Sequence, residues 1–170
     1  DDTISIAKEG ENSYLKVSST NSYPWFATYN GSGATADDVV IKFDYYVNST
    51  AGKDRISFHY ANGKQKNVIW IDYAQFKVLD KVVMGIEKET WYNIELHTDK
   101  EVNSALYRIK KATDTTWTEA WVTVDGYFDD VLESNLSQIR FAVQKNNKYT
   151  ACYDNYSHSQ ENVEDAPRPK

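Results

Sequence analysis

Four side chains capable of hydrogen bonding or ring stacking lie in two neighbouring segments of the sequence. Arg55 and His59 are four residues apart in the first segment, and Trp70 and Asp72 are two residues apart in the second. A period of two is typical of β-strands, in which such residues share the face opposite the apolar side chains. Residues 61–66 lie between the segments and include turn-forming types. The pattern therefore predicts two adjacent strands that gather all four side chains on one surface.

This set of side chains suits a sugar ring. An indole packs against the C–H face of a pyranose, while guanidinium and carboxylate groups form strong hydrogen bonds with its hydroxyls. We predict that Trp70 stacks on a ring and that Arg55, His59 and Asp72 bond hydroxyl groups. In the alternative, structural interpretation, Trp70 covers a neighbouring element, and Arg55 and Asp72 form a surface ion pair of little energetic value.

Short strands must position these residues. Apolar and polar residues alternate in segments 39–47, 56–60, 69–73, 92–96, 105–109, 122–124 and 139–143, and residues 149–156 are typical of a last strand. Turn-forming residues separate the segments, and only residues 128–135 suggest a short helical turn. About 11 to 13 short strands bury their apolar faces more economically in two sheets than in one. We therefore predict an all-β fold, a two-sheet antiparallel β-sandwich of the jelly-roll type.

Further residues could extend the binding surface. The additional aromatic candidates are Tyr46, Trp25, Trp117 and Trp121, and the out-facing polar candidates are Glu95, His97, Arg108, Arg140 and Gln144. Trp91 is expected to remain in the core. The alternation does not assign these residues to one sheet or the other.

Composition limits the range of functions. The chain has 170 residues, with 19 lysines and arginines against 25 acidic residues and a net charge of −6. One domain accounts for this length, and the acidic balance opposes nucleic-acid binding. No segment approaches the ~20 apolar residues of a membrane span, and one cysteine, Cys152, cannot form an internal disulfide. We predict a β-sandwich domain over residues 1–159 and a C-terminal linker or tail over residues 160–170, where a catalytic domain could be tethered.

Three parts of the sequence resemble a known superfamily. Residues 9–17 resemble the opening of jelly-roll carbohydrate-binding modules, with an acidic, glycine-containing loop leading into a strand. Residues 38–44 and 90–99 resemble strands of concanavalin A-like and laminin G-like sandwiches, and Tyr153-Asp154-Asn155 resembles their closing strand. The chain is therefore similar to the concanavalin A-like superfamily of jelly-roll carbohydrate-binding modules.

The resemblance implies a lectin-like, extracellular or cell-surface protein that is secreted and binds a polysaccharide or oligosaccharide. It also implies a structural calcium ion that ties the first loop to the last strand, with Glu9, Glu11 and Asp154 as candidate ligands, since calcium prefers carboxylate and carbonyl oxygens. The alternative is that the two glutamates are solvated loop charges and that Asp154 bonds a turn.

Catalysis has less support in the sequence than binding. The Glu-x-Asp-x-x-Glu arrangement of sandwich glucanases does not occur. A polysaccharide lyase remains an alternative, because Arg55 could neutralise a uronate while His59 moves a proton, although the Arg-x-Glu-x-Arg and Gln-Ile-His motifs of alginate lyases are missing. A laminin G-like adhesion or structural domain is a second alternative. We predict a non-catalytic module that recognises an extended β-glucan, xylan or mannan chain in a concave groove.

Overall fold

The computed structural model describes residues 3–19, 23–30, 38–144 and 149–161. Thirteen strands are found there: β1 Thr3–Glu9, β2 Asn12–Ser19, β3 Trp25–Asn30, β4 Asp38–Val47, β5 Lys53–Tyr60, β6 Gln65–Asp72, β7 Gln75–Val78, β8 Lys81–Gly85, β9 Tyr92–Asp99, β10 Ser104–Lys111, β11 Thr118–Thr123, β12 Leu136–Val143 and β13 Tyr149–Glu161. Two 3-10 turns, Lys100–Val102 and Asp129–Val131, complete the described elements. Neither turn is long or apolar enough to span a membrane.

The strands form two antiparallel sheets. The seven-stranded sheet has the order β1-β2-β13-β4-β9-β10-β11, and the six-stranded sheet has the order β3-β12-β5-β6-β7-β8. The predicted all-β, two-sheet sandwich is confirmed. The last strand, β13, pairs with both β2 and β4 in the interior of the larger sheet. It runs to Glu161, two residues past the predicted end of the domain, and the rest of the predicted tail lies outside the described residues.

The core forms where the inner faces of the two sheets meet. Phe43 of β4 contacts Phe141 of β12 edge-to-face, with ring centroids 5.4 Å apart, and Phe76 of β7 contacts Tyr107 of β10 in the same way at 5.9 Å. Phe43, Tyr107 and Phe141 belong to the apolar positions of the alternating pattern, which are almost all buried, and Phe76 is a buried residue outside the predicted segments. A strand places alternate side chains on opposite faces, and burial of apolar area stabilises only one register. The sequence pattern thus predicts which residues form the core.

Two aromatic residues depart from the predicted core. Tyr73 is 54% exposed, because the chain leaves β6 there: Tyr73 and Ala74 have φ values of 48° and 64°, which belong to a turn. Trp91, which we expected in the core, is only half-buried and contacts Tyr46 on the outer face of the seven-stranded sheet, with ring centroids 5.4 Å apart. It precedes Tyr92, which occupies the buried position instead.

A carboxyl group lies inside the core. Asp54 is 2% exposed and accepts hydrogen bonds from the hydroxyls of Tyr45 at 2.5 Å, Tyr149 at 3.0 Å and Tyr153 at 3.1 Å. Burial raises the pKa of Asp54 to about 7, even though the three hydroxyl donors favour its charged form. The four residues join β4, β5 and β13 across the two sheets.

Candidate functional site

A row of side chains crosses the outer face of the six-stranded sheet. Trp25 of β3 lies opposite Ala142 of β12, Ala142 lies opposite Arg55 of β5, and Arg55 lies opposite Trp70 of β6. Neighbouring strands are about 4.8 Å apart, so the backbones of the two tryptophans are separated by roughly 14 Å. Ala142 and the adjacent Ser57 are small and largely covered, at 5% and 1% exposure. Two indoles therefore flank a strip of small, buried side chains.

Two arginines extend from the same face of the sheet, each next to one of the indoles. The Cζ atom of Arg140 lies 4.2 Å from the ring centroid of Trp25, and that of Arg55 lies 5.7 Å from the ring centroid of Trp70. Both distances are within the range of a cation–π contact. Trp25 is 48% exposed and Trp70 is half-buried. The stacked arginines hold the two rings in place while part of each ring remains accessible.

The two arginines have few polar partners. Arg140 Nε donates a hydrogen bond to the side-chain oxygen of Gln138. Arg55 Nε is buried and has no hydrogen-bond partner among the residues that the structure describes. Within the same residues, neither guanidinium forms an ion pair with a carboxylate. Apart from these two Nε groups, the guanidinium N–H donors have no carboxylate partner in the described part of the chain, and a ligand could bind to them.

His59 lies on the same face. Its Nε2 atom is 2.9 Å from Ser57 Oγ, and either atom could be the donor. Burial, followed by the charges of Arg140 and Arg55, lowers the pKa of His59 to about 4. The imidazole is consequently neutral at pH 7 and takes part in hydrogen bonding without adding charge.

Asp72 belongs to a separate cluster at one side of this row. Its carboxylate pairs with Lys77 at 2.8 Å and with Lys53 at 3.6 Å. Although burial opposes ionisation, the hydrogen bond from Lys77 and the charge of Lys53 lower the pKa of Asp72. The ion pair between Arg55 and Asp72, which the structural interpretation of the sequence required, does not form. Asp72 thus shares the face with Arg55, His59 and Trp70, but its carboxylate oxygens already form ion pairs with lysines.

The other predicted aromatic residues lie on the opposite side of the molecule. Trp117 stacks beneath Arg108 at 4.4 Å on the outer face of the seven-stranded sheet. Trp121 lies on this face near His97, with ring centroids 6.3 Å apart, and Tyr46 lies beside Trp91. The thickness of the sandwich separates them from Trp25 and Trp70. The eight predicted binding residues therefore form two surfaces.

The outer face of the seven-stranded sheet has its own hollow, of about 200 Å³, lined in part by Lys42, Glu95, His97 and Arg108. Its charges neutralise one another. Glu95 pairs with Lys42 at 3.3 Å and with Arg108 at 2.6 Å, and Arg108 also pairs with Glu119 at 2.9 Å. This hollow offers fewer unused donors than the tryptophan–arginine face, the name used below for Trp25, Arg55, Ser57, His59, Trp70, Gln138, Arg140 and Ala142.

Another cavity lies at the side of the sandwich, between β2 and β3. It measures about 320 Å³ and is lined largely by apolar and aromatic side chains, among them Ile6, Phe26, Phe141 and Tyr156. Among the described residues, no arginine, lysine or histidine lines it. A sugar site needs polar groups that converge on hydroxyls, and the tryptophan–arginine face supplies them whereas this cavity is mainly apolar.

The predicted calcium ligands do not converge as a set. Glu9 and Glu11 are exposed, whereas Asp154 accepts hydrogen bonds from Asn12 Nδ2 at 3.4 Å and from the backbone N–H of Asn155 at 2.9 Å. Across the described ranges, no group of three or more histidine, cysteine, aspartate or glutamate side chains could hold a metal ion. The first hairpin and the last strand do meet at Asn12 and Asp154, and calcium binding there stays a prediction.

Sequence reasoning missed the central part of the tryptophan–arginine face. Ser57, Gln138 and Ala142 were not candidates, and Arg140 was only one of several out-facing polar residues. Gln138 and Arg140 do alternate with buried Ile139 and Phe141, which is a detectable signal. The pairing of β12 with β5, which brings Arg140 next to Arg55, connects segments far apart in sequence and has no local signature.

Comparisons with known proteins bear on the fold. No protein-family model matches the sequence, and no curated protein matches it. Solved structures match at low identity. The lectin from Bauhinia forficata in complex with GalNAc has a TM-score of 0.62 at 10% identity, covering 96% of this chain and 93% of that one. The catalytic domain of a GH131 beta-glucanase from Podospora anserina has a TM-score of 0.58 at 9% identity, covering 91% and 74%.

A sialidase is also similar, with a TM-score of 0.59 at 12% identity. The match covers 92% of this chain but only 16% of the sialidase chain, so this chain spans a small part of that protein. Together these structures confirm the predicted concanavalin A-like jelly-roll fold.

Proposed function

We propose that this concanavalin A-like sandwich is a non-catalytic carbohydrate-binding module that holds an extended polysaccharide chain across the outer face of its six-stranded sheet. One observation carries the proposal: Trp25 and Trp70 lie in a single cross-strand row on either side of Ala142 and Arg55. The separation of the indoles, roughly 14 Å at the backbone, leaves room for more than one sugar ring between them.

The chemistry of the row fits a sugar chain. Exposed indole surface packs against the C–H faces of pyranose rings, and stacking requires no particular linkage. Between the indoles, guanidinium groups and the neutral imidazole of His59 offer donors to hydroxyls and ring oxygens. The lectin in complex with GalNAc and the beta-glucanase catalytic domain among the similar structures support this use of the fold. A module of this kind would keep a tethered catalytic domain close to its substrate, outside the cell or on its surface.

A lyase is the second candidate, and one observation favours it. His59 is neutral at pH 7 and lies near two arginines that have no carboxylate partner among the described residues, so it could accept a proton from a sugar whose carboxylate the arginines neutralise. Eliminative cleavage creates an unsaturated sugar that absorbs ultraviolet light. This absorbance would increase on incubation of a lyase with uronate polymers. If the native protein showed such an increase and His59→Ala did not, the protein would be an enzyme and not a non-catalytic binding module.

Affinity electrophoresis across a panel of polysaccharides tests the binding proposal. We expect retardation of the native protein by at least one polymer, and binding at least tenfold weaker in both Trp25→Ala and Trp70→Ala, because a stacked aromatic anchor is lost. Trp117→Ala is the matched control, since it removes an indole that also stacks with an arginine but lies on the opposite sheet.

Thermal midpoints of the three variants establish whether they fold. Both site tryptophans lie outside the core, so we expect the midpoints of Trp25→Ala and Trp70→Ala to stay near that of the native protein. If only Trp117→Ala lost retardation, the site would be on the seven-stranded sheet. If no polysaccharide retarded the native protein, the proposal would be wrong.

A further inference from the structure

The three arginines in the described part of the chain differ in one respect. Arg108 and Arg140 both stack closely on an indole, at 4.4 and 4.2 Å, but Arg108 also pairs with Glu95 and Glu119. Arg140 and Arg55 lack any such carboxylate among the described residues. Carboxylates of the described residues therefore neutralise the arginine on one sheet but not the two arginines on the other.

The two unneutralised arginines are close neighbours. Arg55 pairs with Ala142 and Arg140 pairs with Ser57 in the same strand pair, so the arginines are diagonal partners across β5 and β12. Diagonal partners have backbones roughly 7–8 Å apart. Long side chains at that distance can reach a common point above the sheet, and their like charges repel when no anion lies between them.

The surroundings add to the positive charge. Lys53 and Lys77 lie on the same face, and within the described ranges Asp72 is the one carboxylate that pairs with them. This concentration of cations occurs on a chain whose net charge is −6. Burial is the main cause of the depressed pKa of His59, and the charges of Arg140 and Arg55 lower it further.

Resting on the proposed function, we infer that the glycan bound by the tryptophan–arginine face is acidic, and that Arg55 and Arg140 bind the carboxylate of a uronate-type sugar. A guanidinium presents parallel N–H donors that match the two oxygens of a carboxylate, and such charge-assisted bonds are stronger than those to hydroxyls. Neutral sugars would not require two formal charges. A carboxylate would relieve the repulsion between the arginines and supply a partner for the guanidinium of Arg55.

Titration calorimetry with paired ligands tests this inference. Polygalacturonate, alginate, hyaluronan and glucuronoxylan are each compared with the same polymer after chemical reduction of its carboxyl groups to alcohols, and a sulfated galactan without uronate is the third arm. We expect at least one uronate polymer to bind at least tenfold more tightly than its reduced form. Its affinity should fall as the salt concentration rises, because salt screens the attraction between charges.

Matched variants assign the effect to the two arginines. Arg55→Gln and Arg140→Gln should each weaken uronate binding at least tenfold, while affinity for the reduced polymer changes little. Arg55→Lys should recover only part of the loss, because lysine keeps the charge but lacks the planar fork. Arg108→Gln on the opposite sheet should bind as the native protein does, and thermal midpoints confirm that each variant is folded.

The outcomes separate this inference from the proposed function. Equal affinity for acidic and reduced polymers would overturn the carboxylate assignment while leaving a carbohydrate-binding module in place. Preference for the sulfated galactan over every uronate would also overturn it, in favour of sulfate recognition. If no polymer, acidic or neutral, bound the protein, both the inference and the proposed function would be wrong.

Discussion

The carboxyl group of Asp54 makes the stability of this protein depend on pH in an unusual direction. Its pKa rises from 3.8 in the unfolded chain to about 7 in the folded protein. The folded state therefore holds a proton that the unfolded state releases at any pH between these values. Stability from this group is fully present below about pH 4 and is lost as the pH rises through about 7.

The size of the effect follows from the two pKa values. One pKa unit corresponds to about 1.4 kcal/mol, so the shift of Asp54 predicts a loss of about 4 kcal/mol in unfolding free energy between pH 4 and pH 8. Asp54→Asn has no carboxyl to ionise, and we expect it to lack this loss. The amide disturbs the hydrogen bonds from Tyr45, Tyr149 and Tyr153 at a cost of about 1–3 kcal/mol, but that cost does not vary with pH.

Urea unfolding followed by tryptophan fluorescence at pH 4, 5, 6, 7 and 8 measures the effect. The quantity of interest is the difference in unfolding free energy between the native protein and Asp54→Asn, because other carboxylates contribute equally to both. Asp72→Asn is a control with the opposite sign: the pKa of Asp72 is lowered, so its contribution is lost as the pH falls. Parallel pH profiles for the native protein and Asp54→Asn would refute a raised pKa at Asp54.

Two further changes test other parts of the structure. A Cβ atom at Gly52 would overlap the ring of Tyr149, whose hydroxyl donates a hydrogen bond to Asp54. Gly52→Ala should therefore lower the unfolding free energy by about 1–3 kcal/mol in the same urea assay. Gly85→Ala is the control and should have little effect, because the nearest atom to its added Cβ is 3.8 Å away. Equal stability of the two variants would mean that the Tyr149 ring can move aside. For the predicted calcium ion at Glu9, Glu11 and Asp154, a chelator should lower the thermal midpoint and added calcium should restore it, since a ligand that binds only the folded state stabilises it; an unchanged midpoint would exclude a structural calcium ion.

The sequence predicts the two faces of each strand better than it predicts the neighbours of each strand. Phe43 and Tyr45 are buried and Lys42 is exposed, as the alternation requires, because burial of apolar area allows one register only. Tyr73 breaks the pattern because the strand ends before it. No local feature indicates that β13 lies between β2 and β4.

The same distinction explains which parts of the candidate site were predictable. Arg55 and Trp70 belong to strands joined by a short turn, and a hairpin makes them neighbours without further information. Trp25 and Arg140 join them through β3 and β12, which are distant in sequence. Trp117 and Trp121 have equally suitable side chains but extend from the other sheet, and only the strand order decides this.

The position of β13 has a consequence for how the chain folds. Its partners in the larger sheet, β2 and β4, precede it by more than a hundred residues, as in the pairs Thr150–Ser18 and Ala151–Val47. During synthesis, these two strands must wait with unpaired edges until the C-terminal strand emerges, and exposed edges promote association between chains. Contacts of such long sequence separation also slow folding. Cellular yield should therefore depend on how quickly this final strand docks.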